Sequence, residues 1–281
     1  MKVDNMSQKL GGPISNPNMF DPTDLYQFYA NLQFKDYNYF DLKLSTSMFQ
    51  KNLELNRLLK PADRNLWDDT TPPTELNAAY VVDQNSIVIA AGIMQFPILG
   101  AELPDYVNYG AFGSLVGHEI THGFDNDGAQ FDENGAYRDW WDNKTMKLFE
   151  EKTLCFVDQF SKFHITNQKG KERSVNGNKT LAENIADTGG LSTAYTAWKK
   201  RNSQHPNQGL PGLERFTNDQ LFFLSFALSR CSNQSPDYEA MMMLIDTHSP
   251  DSARIIGTTA NDPDFREAFN CPVKKPTCEL W

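Results

Sequence analysis

No uninterrupted apolar run in the chain approaches the roughly 18–20 residues needed to cross a bilayer. The longest candidates lie around Ile87 to Met94 and Leu221 to Leu228, so no membrane contact is expected of this segment. Basic residues are in the minority, 26 against 36 acidic for a net charge of -10. That balance excludes nucleic acid and anionic membrane surfaces as natural partners, since either would repel it. The opening Met1-Lys2-Val3-Asp4-Asn5 lacks the apolar stretch of a secretory signal, which leaves a cytosolic protein or a chain beginning downstream of its own targeting segment. Cysteine is scarce, and no two of Cys155, Cys231, Cys271 and Cys278 stand at zinc-ribbon or redox spacing. Scattered structural disulfides therefore fit better than a thiolate metal site, with three connectivities open. Internal repeats and low-complexity segments are missing too, which leaves a globular chain.

With 281 residues, 40% of them hydrophobic, the chain can bury a large core as one big domain or two small ones. Residues 1 to 21, polar and rich in Gly, Pro and Asn, read as a connecting arm. Asp21-Pro22 caps a helix carrying Leu25, Phe28, Tyr29 and Leu32, and a second helical pattern runs from about Tyr37 to Leu59 before Pro61. The aromatic stripes of both read as core packing. A loop over Asp68-Asp69-Thr70-Thr71-Pro72-Pro73 precedes two strands, Leu76 to Val82 and Ile87 to Ala91, joined as a hairpin by Asp83 to Ser86. Trp140-Trp141 opens a further helical segment holding Cys155. Thr217 to Gln220 caps an apolar helix, Leu221 to Leu228, expected to be fully buried. Ser235-Pro236 starts another, whose Met241-Met242-Met243 read as core filler, and Asn261-Asp262-Pro263 opens a last short helix. Glycosylation acceptors at Asn5, Asn143, Asn178 and Asn233 lean toward an extracellular, oxidising setting.

The chemistry concentrates in Val116-Gly117-His118-Glu119-Ile120-Thr121-His122. Four helical residues at about 100° each return nearly a full turn, so His118 and His122 stand on one face and can grip a single ion. Two His at that spacing form half of a zinc site. Glu119 projects from an adjoining direction as a base, while Phe112, Val116 and Ile120 form the opposite, core-facing stripe.

A catalytic zinc site needs a third protein ligand and an open position. Asp125, Asp127, Glu183 and Asp187 are the candidates, the first two so close to His122 that the backbone would have to fold sharply back. Thr180-Leu181-Ala182-Glu183 can also be a capping box in which Glu183 only satisfies a backbone N–H. Against that, Asp187 lies one turn beyond Glu183 on the same face, with Leu181 and Ile185 behind. We therefore expect Glu183 to be the ligand and Asp187 to orient a ligand imidazole. Glu119 would then take a proton from water acidified by zinc as it attacks a carbonyl, and return it to the leaving amine. His248, held by Asp246, and Arg254 are candidate donors to the developing oxyanion.

The order of these blocks resembles the carboxyl-terminal catalytic domain of the neprilysin and endothelin-converting enzyme family of zinc metallopeptidases. The resemblance covers Leu76 to Tyr80, Ala91 to Gln95, Gly117 to Asp125, Ala182 to Gly190, His248-Ser249-Pro250, Arg254 to Thr258 and Cys278 to Trp281. It implies an α+β, mainly α, thermolysin-like fold with a small β-sheet beside the metal-binding helix. It also implies one zinc ion per chain on His118, His122 and Glu183, a catalytic group of Glu119, Asp187 and His248 with Asp246 behind His248, and substrate contacts from Asn77, Ala78 and Arg254.

The substrates it implies are oligopeptides, cut near apolar primed-side residues by an extracellular enzyme, secreted or an ectodomain. Residues 1–70 would be a helical lead-in and 71–281 the catalytic domain. Cys155 would pair with Cys278, and Cys231 and Cys271 with cysteines of an amino-terminal roof domain that this chain lacks. Arg230 departs from the family, where an aromatic often stands beside the primed-side pocket, although Ile93, Ile98 and Leu115 keep an apolar wall. A non-catalytic or incomplete fragment is the alternative reading. An aminopeptidase is a third, for which the acidic residues that would hold a free amino terminus are not evident.

Overall fold

The computed structural model describes residues 1–15, 17–35, 37–67, 71–273 and 277–280. Asp68-Asp69-Thr70 of the expected loop and the terminal Trp281 lie outside the described residues. Strand β1 (Ser7–Gly11) is followed by helices α1 (Pro22–Phe28) and α2 (Tyr39–Arg57), then by strands β2 (Ala78–Val81) and β3 (Ser86–Ala90). The hairpin forms as expected, antiparallel, with Ala78 opposite Ile89 and Val81 opposite Ser86. Its turn places Asn85 at φ 45, a left-handed conformation that asparagine tolerates. The Asn85 side chain is buried, donating to the Lys2 and Glu133 carbonyls and accepting from the Tyr80 hydroxyl.

The arm expected over residues 1–21 contains β1, which pairs in parallel with β3. This corrects the reading of that stretch as connection only. β3 is thereby central and buried at every residue, which explains its unbroken Ser-Ile-Val-Ile-Ala run, whereas β2 is an edge. Lys2 pins the arm down: its buried Nζ donates to the Gly128 and Phe131 carbonyls, both at 2.7 Å, and lies 5.4 Å from the Trp140 ring centre.

Helix α3 (Asp105–Asn108) runs through a wide turn at Tyr109–Gly113 into α4 (Ser114–His122), which carries both motif histidines. One side of α4 packs Leu115, Val116 and Ile120, with Phe112 before them, onto Ala78, Ile87 and Ile89. Helix α5 (Asn143–Phe160) begins two residues after Trp141, capped by Asp142. The small ribbon of β4 (His164–Thr166) and β5 (Glu172–Ser174) leads to α6 (Leu181–Gln204), which lies against the other side of α4. The chain continues through α7 (Asn218–Ser229), α8 (Pro236–Ile245), α9 (Asp251–Asn261) and α10 (Pro263–Phe269). Behind α6, Tyr106, Tyr195, Trp198, Phe222, Phe223 and Phe226 form an aromatic core. A second cluster joins Phe149, Phe156, Phe160 and Ile185 to the Cys155–Cys278 disulfide, the pairing expected from the resemblance. Cys231 and Cys271 are free and exposed.

Three packing expectations need correction. Helix α7 has the expected capping box, but Leu224 and Leu228 face outward, because a helix packed along one side buries only that stripe. Helix α8 buries none of its residues, and Met241 is exposed while Met243 alone reaches the second cluster. Helices α1 and α2 likewise bury nothing: Phe28, Tyr29 and Phe49 stack on one another, and Tyr26, Tyr39 and Phe40 remain exposed. A stripe of aromatics is buried only where another element covers it.

Candidate metal and catalytic centre

Helices α4 and α6 cross where both are glycine, which brings the first turn of α6 over the motif histidines. His118 Nε2 lies 3.0 Å from His122 Nε2 and 3.1 Å from Glu183 Oε2, with His122 Nε2 to Glu183 Oε2 at 3.5 Å. The capping box weighed for Glu183 does not form: Thr180 makes no side-chain cap, its hydroxyl donating to Asn176 O and accepting from Asn184. Among the described residues this trio is the one cluster of His, Cys, Asp and Glu able to hold a metal ion.

The donor set fits a divalent cation such as zinc. Each ring nitrogen on the far side is committed to a carboxylate, His118 Nδ1 to Asp187 at 2.9 Å and His122 Nδ1 to Asp125 at 2.6 Å. Both Nε2 lone pairs are thereby turned toward Glu183, whose Oε2 is buried without a hydrogen-bond partner. Three electron-rich atoms facing one another repel unless a cation or protons lie between them. Bonds of about 2.0–2.1 Å in a tetrahedron separate ligand atoms by about 3.3 Å, close to the spacings observed.

The electrostatics express the same competition between proton and cation. Burial alone would lower the His122 pKa, but the Asp125 and Glu183 carboxylates outweigh it and lift it to about 11. Glu183, although buried, is held well below the usual carboxylate range by the His118, His122 and His248 imidazoles. Glu119 is also buried and is pushed upward by desolvation, against the pull of His118 and His122. Asp187, 1% exposed, stays far below its ordinary range despite burial because Arg254 grips both its oxygens, at 2.7 and 2.8 Å, and Arg230 adds a third bond at 2.9 Å.

A cleft of about 480 Å³ opens over the trio, lined also by Asn77, Ala78, Leu115, Glu119, His248 and Arg254. The residues grouped by the sequence reading are thus together in space. His248 Nδ1 meets Asp246 at 2.8 Å, and its Nε2 lies 3.1 Å from Glu183 Oε2. Arg254 lines the cleft, yet spends its Nε and one terminal nitrogen on Asp187. Two positioning contacts lie beyond what the sequence reading supplies. The sequence offers Asp125 only as a candidate ligand, but a tight turn lets it accept from the Asp127 and Gly128 amides and reach back to His122. Asn184 accepts from Ser249 at 2.9 Å, tying α6 to the loop carrying His248. No sequence signal marked the second; for Asp125, the turn-forming Asn126-Asp127-Gly128 was the available clue.

Comparison with known proteins gives the same class. The family described as Peptidase family M13 matches residues 77–279, and the chain belongs to that family. It is 40% identical over 236 residues to neprilysin-21 of Caenorhabditis elegans and 37% identical over 286 residues to an endothelin-converting enzyme homolog of Locusta migratoria. These alignments take in 81% and 100% of this chain but only 30% and 38% of those relatives. Among solved structures, the zinc metalloprotease Zmp1 of Mycobacterium tuberculosis superposes with TM-score 0.80 at 28% identity, over 99% of this chain and 40% of that one. The Haemonchus galactose containing glycoprotein complex gives 0.85 at 28% identity, over 100% and 46%.

Proposed function

We propose that this chain carries the catalytic site of a zinc-dependent endopeptidase acting on oligopeptides. The observation that carries the reading is the convergence of His118, His122 and Glu183 beside the buried carboxyl of Glu119. Zinc held by that trio would supply Lewis acidity, making water a better nucleophile and the substrate carbonyl more electrophilic. The edge strand β2 would take the substrate backbone alongside it, with Asn77 and Ala78 at the contact. Glu119, buried and so a stronger base than a solvated carboxylate, would accept the proton of the attacking water and pass it to the leaving nitrogen. His248, its Nδ1 held by Asp246, would donate from Nε2 to the oxygen that gains negative charge. Asp187 would act behind His118 by fixing its tautomer, and Arg254, anchored on Asp187, would contact the substrate on the primed side.

Replacing Glu119 by Gln keeps the shape and the metal ligands but removes the base. Cleavage of a fluorogenic peptide should fall by at least about 10²-fold with zinc content unchanged; undiminished turnover would refute the role.

A second reading, a portion that is inactive until covered, is favoured by the exposed Cys231 and Cys271 and by the exposed aromatics of α1 and α2. These features suit a roof domain of the same polypeptide, and an extracellular, glycosylated setting suits the disulfide and the Asn-x-Ser/Thr sites. No helix among the described residues is long and apolar enough to cross a membrane. Assaying the purified chain with and without chelator separates the two readings, since only an active chain shows chelator-sensitive cleavage.

A further inference from the structure

Beside the metal cleft lies a side pocket of about 300 Å³ that shares Leu115 and Arg254 with it. Ile93, Ile98, Ala111 and Leu115 supply an apolar wall, and Arg230 stands in the lining opposite in character to all four. The Arg230 side chain is 9% exposed. It is held by one bond to Asp187 at 2.9 Å, by Ser229 at 3.3 Å and by the Phe226 ring 4.3 Å from its guanidinium carbon. Its Nε–H is buried and has no partner.

Direct hydrogen bonding in this corner is uneven. Arg254 takes both oxygens of Asp187, and Arg230 must share one of them, so two buried guanidiniums rest on a single carboxylate. Asp251, at the start of α9, also lines the pocket and attracts both from a distance, but among the described residues it forms no ion pair with either. The desolvation and the neighbouring Arg254 both weaken the hold of Arg230 on its charge. A carboxylate bonded directly to Arg230 would satisfy the idle N–H through a charge-assisted bond.

We propose that Arg230 makes this a pocket for an acidic substrate side chain, with glutamate favoured in the residue that follows the scissile bond. Glutamate matches both halves of the lining: its two methylenes lie along Ile93, Ile98 and Leu115, and its carboxylate ends at Arg230. This rests on the endopeptidase reading and adds the specificity that the apolar wall alone does not explain.

The test is a set of internally quenched peptides, amidated at the carboxyl terminus and differing only after the scissile bond: Glu, Gln, Leu or Phe. Glu and Gln have nearly the same shape, so their ratio isolates the charge. The expected ratio of kcat/KM is roughly 10- to 100-fold in favour of Glu. Arg230→Leu should bring the ratio near one and raise the relative rate on Leu and Phe, and Arg230→Lys should keep part of the preference. A ratio near one in the unaltered protein, or a preference for Leu or Phe over Glu, overturns the inference while leaving the peptidase reading intact. If none of the four peptides is cut in a zinc-dependent way, the peptidase reading falls and takes this inference with it.

Discussion

Gly117 of α4 and Gly190 of α6 meet backbone to backbone: a Cβ on Gly117 would fall 2.6 Å from the Gly190 carbonyl oxygen, and one on Gly190 would fall 2.5 Å from the His118 nitrogen. Gly190 is seven residues beyond Glu183, about two turns along the same face, and Gly117 immediately precedes His118. The contact therefore sets the height of α6 above the histidines. Gly190→Ala should force the helices apart, cost about 1–3 kcal/mol of stability and lower bound zinc by moving Glu183. Zinc stoichiometry by mass spectrometry together with thermal unfolding checks this; full zinc at an unchanged midpoint would contradict it.

The carboxylate behind His122 should matter nearly as much as a ligand. Asp125→Asn preserves an acceptor for the ring N–H but removes the negative charge that strengthens the imidazole as a donor. Zinc affinity, measured by competition with a chromogenic chelator, should fall about 10- to 100-fold. An affinity within a factor of two of the parent would show that Asp125 only shapes the turn.

Asp262 caps α10, accepting from Phe265 N at 2.7 Å, and is raised by burial to about 6 from 3.8. Its folded pKa is thus above its unfolded one, so the proton is held more tightly in the folded state. The resulting stabilisation is complete below about 3.8 and is lost as pH rises through 6. Asp262→Asn keeps the cap without the charge and should raise stability at pH 7.5 by up to about 3 kcal/mol, from two pKa units at 1.36 kcal/mol each. The gain should shrink toward pH 4. Urea midpoints at the two pH values decide it, and an equal gain at both would rule out titration of Asp262 as the cause.

The Cys155–Cys278 bond closes a loop with a sequence separation of 123. Loop-closure entropy for that length gives at most about 5 kcal/mol. Replacing both cysteines by serine should lower the guanidinium midpoint markedly, and reduction of the parent should do the same. Identical midpoints with and without reductant would mean that the surrounding phenylalanine cluster holds the chain end unaided.

Local chemistry was legible in the order of residues. The four-residue separation of His118 and His122, the Asn-containing hairpin turn, the capping box at Thr217 and Gln220 and the paired faces of Glu183 and Asp187 all depend on periodicities of one or two turns. Burial was less legible. Aromatics on α1 and α2, and methionines on α8, have the spacing of core residues, yet a face is buried only if another element meets it, and that is a property of the assembled structure. Strand β1 is illegible in the sequence for a related reason: Ser-Gln-Lys-Leu-Gly has little apolar character, and it is the parallel pairing with β3 that makes it a strand.

What the sequence by itself determined is the helix that sets His118 and His122 on one face beside Glu119, and the family to which the chain belongs, because a helix repeats every 3.6 residues whatever surrounds it. Only the tertiary structure decided that Glu183 serves the histidines instead of capping its own helix, that Asp125 folds back onto His122, and that Arg230 shares Asp187 with Arg254. Each of those outcomes is a distance between segments far apart in the chain or across a sharp turn, fixed by how closely two glycine backbones can approach and by which buried charges must find a partner.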